Sequence, residues 1–193
     1  MPYYHTLGKI PHKRHTQFKK SDGKLYREEV MGLEGFSSIQ SILYHHFLPP
    51  RVKEMRDLGP AQPEYVDFGP IRHRALKTDQ TPLGVDPVAG RIPLLGNNDV
   101  ILGVSRSKNS MDYFYRNAQA YETWWVHEGS GVLRSQFGSL PFHRGDYIVI
   151  PFGVTWKMEL NEECKFFTIE NPSQIEPPKR YRNNYGQLLE HAP

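Results

Sequence analysis

The chain has 193 residues, of which 38% are hydrophobic and 12% aromatic, with 16 Gly, 16 Pro and a single Cys. Frequent Pro leaves little room for a helical bundle, no apolar stretch reaches the length of a membrane span, the amino terminus lacks the apolar core of a signal peptide, and one cysteine excludes an internal disulfide framework. A net charge of +3 is too small to argue for nucleic acid, so composition leaves a cytoplasmic, strand-rich chain with long irregular segments.

The first 20 residues carry Lys9, Lys13, Arg14, Lys19 and Lys20 and no acid, with His5, His12, His15, Tyr3, Tyr4 and Phe18 among them. Two readings stand: an arm that docks on a neighbouring surface, or a basic, aromatic-interleaved nucleic-acid contact. The arm's cations exceed the net charge of the whole chain, so no basic face remains elsewhere to extend such a contact. Lys24–Val30 has little clean period, and Ile39–Phe47 reads as a buried strand. Residues 49–99 are broken by eight prolines, and the apolar runs Tyr65–Phe68 and Ile71–Leu76 suggest strands joined by long loops, some at sheet edges where Pro is tolerated.

From residue 99 the pattern sharpens. Val100–Ser105, Tyr113–Asn117, Tyr121–His127, Val132–Phe137, Asp146–Pro151, Thr155–Leu160 and Lys165–Glu170 are short runs bounded by Gly, Pro, Asn or Ser. Such spacing predicts an antiparallel sandwich or barrel. In Thr155–Leu160, Trp156, Met158 and Leu160 share one face, the mark of a half-buried strand. Residues 183–191 allow a short helix near the carboxyl end.

The segment from Gly145 reads Gly-Asp, four strand residues, then Pro151-Phe-Gly153 and a bulky Trp156. With Glu122 upstream, it resembles the paired motifs of the cupin superfamily, a small jelly-roll barrel. In that family two His and a Glu from the first motif, and a His from the second, hold a metal. The resemblance places the Glu at Glu122, the first two His positions at Tyr115 and Asn117, and the third at Trp156. One carboxylate, an Asn and a Trp do not make a divalent-metal site, which needs three or four converging His, Cys or carboxylate ligands. The frame is that of a cupin, and the ligand set is degenerate, with Trp156 filling space.

The other histidines offer no replacement. His45 and His46 are adjacent, so a strand points them to opposite faces. His127 and His143 lie near turns, and His73 sits between Arg72 and Arg74, which repel a cation. Cys164 reads as a buried structural thiol. There is no Gly-rich phosphate loop and no Gly-x-Ser-x-Gly elbow.

Longer segments sharpen the resemblance. Met1-Pro-Tyr-Tyr-His5-Thr-Leu-Gly-Lys-Ile-Pro-His12-Lys-Arg-His15, then Leu25-Tyr26-Arg-Glu28-Glu29-Val-Met-Gly32-Leu-Glu-Gly35-Phe36, then Leu43-Tyr44-His45-His46, and the tail from Pro177 through Tyr181 and Tyr185, resemble the amino-terminal half of bacterial homogentisate 1,2-dioxygenases. The resemblance covers essentially the whole chain. It implies an all-β, cupin-type jelly-roll barrel with an extended amino-terminal arm. Residues 1–48 would form the arm and strands packing on the barrel or a neighbour. Residues 49–172 would form a metal-free barrel, and residues 173–193 a linker toward a second barrel absent from this chain. It implies an Fe(II)-dependent, ring-cleaving enzyme converting homogentisate and O₂ to maleylacetoacetate in tyrosine and phenylalanine breakdown. The Fe(II) is expected in the second barrel, with none held by residues 1–193, so the chain alone is expected to be inactive. Implied partners are that second barrel, further copies in a trimer or pair of trimers, and a small aromatic substrate, without nucleic acid or membrane. Glu28 is the one candidate for reaching a neighbour's substrate pocket, against the alternative of a simple ion pair. The competing reading is a non-catalytic cupin module for assembly or small-ligand binding.

Overall fold

In the computed structural model, residues 17–49, 51–60, 63–66, 69–70, 72–176, 178–183 and 187–190 are described. They fall into two units, one of residues 1–59 with 176–193 and one of residues 60–175. Among the described residues the regular structure is strands and one 3-10 turn, Thr78–Gln80.

In the first unit β1 (Arg27–Glu34) and β2 (Ser37–His45) form an antiparallel ribbon, with Arg27 opposite His45 and Glu34 opposite Ser37. The reversal uses Gly35 at φ 61°, a left-handed value that glycine adopts without strain. The register shifts between Gly32 and Glu34. Gly32 has no room for a side chain, since a Cβ there would lie 2.8 Å from the Gly35 carbonyl oxygen. Rings reinforce the ribbon: Phe18 lies 4.8 Å from Tyr44, and Tyr26 meets His46 edge-on at 5.3 Å. Residues 1–16, and with them most of the basic arm, lie outside the described residues. Near the carboxyl end the expected helix does not form among the described residues; Arg182 instead bridges Leu188 in antiparallel fashion.

Among the described residues, the second unit holds nine strands in two antiparallel sheets. They are β3 (Arg91–Gly96), β4 (Ile101–Ser107), β5 (Tyr115–Arg116), β6 (Tyr121–Glu128), β7 (Gly131–Ser135), β8 (Gly138–Phe142), β9 (Tyr147–Ile150), β10 (Thr155–Leu160) and β11 (Cys164–Asn171). One sheet has the order β3-β4-β11-β6-β9 and the other β5-β10-β7-β8. From β4 onward the chain passes repeatedly from one sheet to the other, which gives a cupin-type jelly roll rather than a meander.

Alternation explains the core. On β6, Trp124 and Val126 are fully buried; on β10, Trp156 and Met158; on β11, Cys164 and Phe166. Each set lies two residues apart, so all point between the sheets. Trp124 meets Trp156 at 5.6 Å and Phe166 at 5.4 Å, edge-on in both cases. That geometry suits the ring quadrupoles.

Other expectations need correction. Ile39–Phe47 is not a buried strand: β2 ends at His45, and Ile42, Tyr44 and Phe47 are exposed. Tyr65–Phe68 and Ile71–Leu76 form no strand among their described residues, and Tyr65, Val66 and Leu76 are exposed there. In turn, β3 and β8 carry no recognisable alternation. β3 contains Pro93 and stands at a sheet edge, where the register shifts between Pro93 and Leu95.

Candidate functional site

The site starts from a turn. Asp86 is buried, and its Oδ1 accepts the backbone N–H groups of Val88 and Ala89 at 2.8 and 2.9 Å. Tyr113 donates its hydroxyl to the same carboxylate at 3.1 Å. Burial, and next the Asp86 charge, push the Tyr113 phenol up to about 12. Beneath this turn Gly84 and Gly90 approach so closely that a Cβ on Gly84 would lie 2.2 Å from the Gly90 Cα. The next residue is Arg91, which the turn delivers at the start of β3.

Arg91 reaches across to Glu122 on β6. Its Nη1 donates to Glu122 Oε1 at 2.6 Å, and its Nη2 donates to the Tyr115 hydroxyl at 2.9 Å. The same Oε1 accepts Asn117 Nδ2 at 3.2 Å and the Tyr115 hydroxyl at 3.3 Å. Trp124 Nε1 makes a long contact with Oε2 at 3.4 Å. Glu170, opposite Glu122 on β11, lies 3.6 Å from Arg91 Nη1. The guanidinium carbon sits 5.1 Å from the Tyr115 ring centre and 5.8 Å from that of Trp124. Trp156 is fully buried and packs edge-on against Tyr115 at 5.4 Å.

Tyr115, Asn117 and Glu122 are therefore joined by hydrogen bonds, with Trp156 filling space beside them. Sequence reasoning missed the residue at their centre, Arg91. Glu122 keeps only 3% of its side-chain surface exposed, so its charge needs a partner. Burial works against the Arg91 charge, but Glu122 and the Tyr115 hydroxyl outweigh it and raise the pKa. The Tyr115 phenol is likewise pushed up, first by burial and then by Glu122.

Fe(II) does not fit these residues. The Glu122 carboxylate pairs with a guanidinium through Oε1. Asn117 Oδ1 accepts the backbone N–H groups of Gln119 and Ala120, both at 3.0 Å. Trp156 has no ligating lone pair. Among the described residues no group of three His, Cys, Asp or Glu is placed to hold a metal. The cation that the structure places against Glu122 is the Arg91 guanidinium.

Other candidates are dispersed. His45 Nε2 contacts Glu29 at 2.8 Å, while His46 packs on Tyr26. His127 and His143 lie 3.7 and 3.9 Å from Glu128 and Asp146. Cys164 is buried, and burial pushes its thiol up to about 11, away from thiolate chemistry. Glu28 is exposed on β1 opposite Tyr44 and forms no ion pair among the described residues.

Beside the Arg91 network lies a cavity of about 660 Å³. Arg91, Tyr115, Glu122, Trp124 and Glu170 line it, together with Tyr65 and Asp99.

Comparison with known proteins gives three findings. A scan against protein-family models matches none. The chain is 41% identical over 191 residues to a Saccharolobus solfataricus protein named "Putative dioxygenase", covering 98% of this chain and 49% of that protein. It thus spans about half the length of the curated relative it matches. Among solved structures, a cupin-2 domain protein from Shewanella frigidimarina aligns at 25% identity and TM-score 0.39, over 42% of this chain and 78% of that one. A double-stranded β-helix protein from Klebsiella pneumoniae aligns at 18% identity and TM-score 0.44, over 52% and 91%.

Proposed function

We propose that this chain is the metal-free barrel of a two-barrel, ring-cleaving dioxygenase of the homogentisate 1,2-dioxygenase type. The reaction is the addition of both atoms of O₂ across a ring bond of homogentisate, giving maleylacetoacetate. The observation that supports the reading is the Arg91–Glu122 ion pair at 2.6 Å, which engages the residue that the resemblance sets at a cupin's metal-binding Glu. A barrel built this way has a structural part in an iron enzyme, and the iron belongs to a barrel outside these residues. The relative named as a dioxygenase, about twice as long as the match, supports the reading.

The test compares residues 1–193 with a protein carrying this barrel and a second one. Iron content and O₂ uptake with homogentisate are measured on both. Iron and uptake in the two-barrel protein alone support the reading. Turnover by residues 1–193 alone, or a two-barrel protein without iron or uptake, contradicts it.

The alternative, a non-catalytic module for assembly or small-ligand binding, is favoured by the cavity and by exposed apolar side chains on the first unit. Phe36 and Phe47 expose 96% and 75% of their surface. If residues 1–193 are sufficient to assemble into a defined oligomer and a two-barrel protein lacks uptake, this reading replaces the first.

A further inference from the structure

We infer that the cavity beside Arg91 is a binding site for an organic amine carrying an aromatic ring. Its volume of about 660 Å³ suits a small molecule. Glycines keep it open. A Cβ on Gly96 would meet Tyr65 Cε1 at 2.8 Å, so the missing side chain lets the Tyr65 ring stand in the wall. A Cβ on Gly103 would lie 2.9 Å from Thr168 Oγ1, another lining group.

Charge selects the ligand. Asp99, Glu122 and Glu170 line the cavity with Arg91 as their one cationic counterpart. Tyr115 stays a neutral phenol, because burial and Glu122 hold its proton. Arg91 makes its close contact with Glu122, at 2.6 Å, and sits farther from Glu170, at 3.6 Å. The Glu170 carboxylate makes no hydrogen bond among the described residues, and that of Asp99 makes no ion pair there. Glu122 Oε2 is buried and has one long contact, 3.4 Å from Trp124 Nε1. The cavity therefore offers carboxylate acceptors and a net negative field, which concentrates cations and repels anions. Tyr65 adds a π face for an ammonium or a ring. An aromatic acid, the substrate class of the proposed iron barrel, is the wrong sign here. The inference rests on this barrel's own residues, so it stands or falls apart from the ring-cleaving reading.

The experiment uses three ligands that share one ring: tyramine, tyrosol and 4-hydroxyphenylacetate. Each is titrated into residues 1–193 and followed by NMR shifts and tryptophan fluorescence. Tyramine is expected to bind about tenfold more tightly than the acid, weaken as salt rises, and perturb residues lining the cavity. Glu170→Gln is expected to weaken tyramine about fivefold and leave tyrosol unchanged. Equal or tighter binding of the acid overturns the inference. So does perturbation confined to other residues, or no binding of any of the three at about 10 mM, an affinity below that expected of a formed site. The comparison of the three ligands on the unaltered chain decides the matter even if the variant does not fold.

Discussion

Arg91 and Glu122 define each other's cost. With the guanidinium gone, Glu122 is a buried carboxylate held, among the described residues, by Asn117, Tyr115 and Trp124. Arg91→Ala is expected to lower stability by about 3–5 kcal/mol, read from urea unfolding. Replacing both partners together, Arg91→Met with Glu122→Leu, removes the orphaned charge and is expected to recover most of that loss. A double variant no more stable than Arg91→Ala would show that the pair does more than neutralise itself.

Two groups with raised pKa values, the exposed Tyr113 and the buried Cys164, set a pH limit. Tyr113 is pushed up to about 12 and Cys164 to about 11. Both are neutral when protonated, and the folded state holds their protons more firmly than the unfolded chain. Their contribution is therefore complete below about pH 9 and is lost as pH rises toward 11 and 12. Unfolding midpoints measured from pH 8 to 11 are expected to fall. Cys164→Ala is expected to flatten the earlier part of that fall, and an unchanged slope would remove Cys164 as a cause.

At the scale of elements, the strands with alternation or sharp punctuation were legible in the sequence. β10 shows it plainly: Trp156 and Met158 face in, and Gly153 precedes the strand at a positive φ of 77°. β8 was not legible, because Gly138, Ser139, Leu140 and Pro141 are all exposed and only Phe142 turns inward. β3 was hidden by Pro93 and edge placement. The candidate site was half legible for a related reason. Tyr115, Asn117 and Glu122 lie within eight residues of one another, on β5, just after it and on β6. Arg91 arrives from 31 residues upstream, set by the Asp86 turn and two abutting glycines. No local period marks such a residue.

Packing between strands gives its own prediction. A Cβ on Gly131 would lie 2.4 Å from the Glu159 carbonyl oxygen and 2.7 Å from Phe142 Cζ. Gly131→Ala is expected to cost about 1–3 kcal/mol in urea unfolding, since the backbone of β10 must move. A near-neutral result would mean that β7 and β10 separate more easily than their register implies.

For the whole molecule, the proposal divides labour between barrels. In it, this barrel takes its cohesion from an organic cation, and its stability is expected to be independent of metal. The thermal midpoint of residues 1–193 is expected to stay unchanged on adding EDTA or Fe(II). In the first unit, a two-stranded ribbon is marginal by itself in water, and its exposed Phe36 and Phe47 fit the proposed role in oligomer assembly. Glu28→Gln in a two-barrel protein tests the proposed contact with a neighbour's substrate; unchanged turnover and substrate affinity would remove Glu28 from the account.

The central claim is that Arg91 takes the metal's place in this barrel. The most direct measurement is the metal content of purified residues 1–193 after anaerobic loading with Fe(II) and removal of the excess. The account predicts no stoichiometric metal, in the parent chain and in Glu122→Gln alike. One tightly held iron per chain, lost in Glu122→Gln, would contradict it.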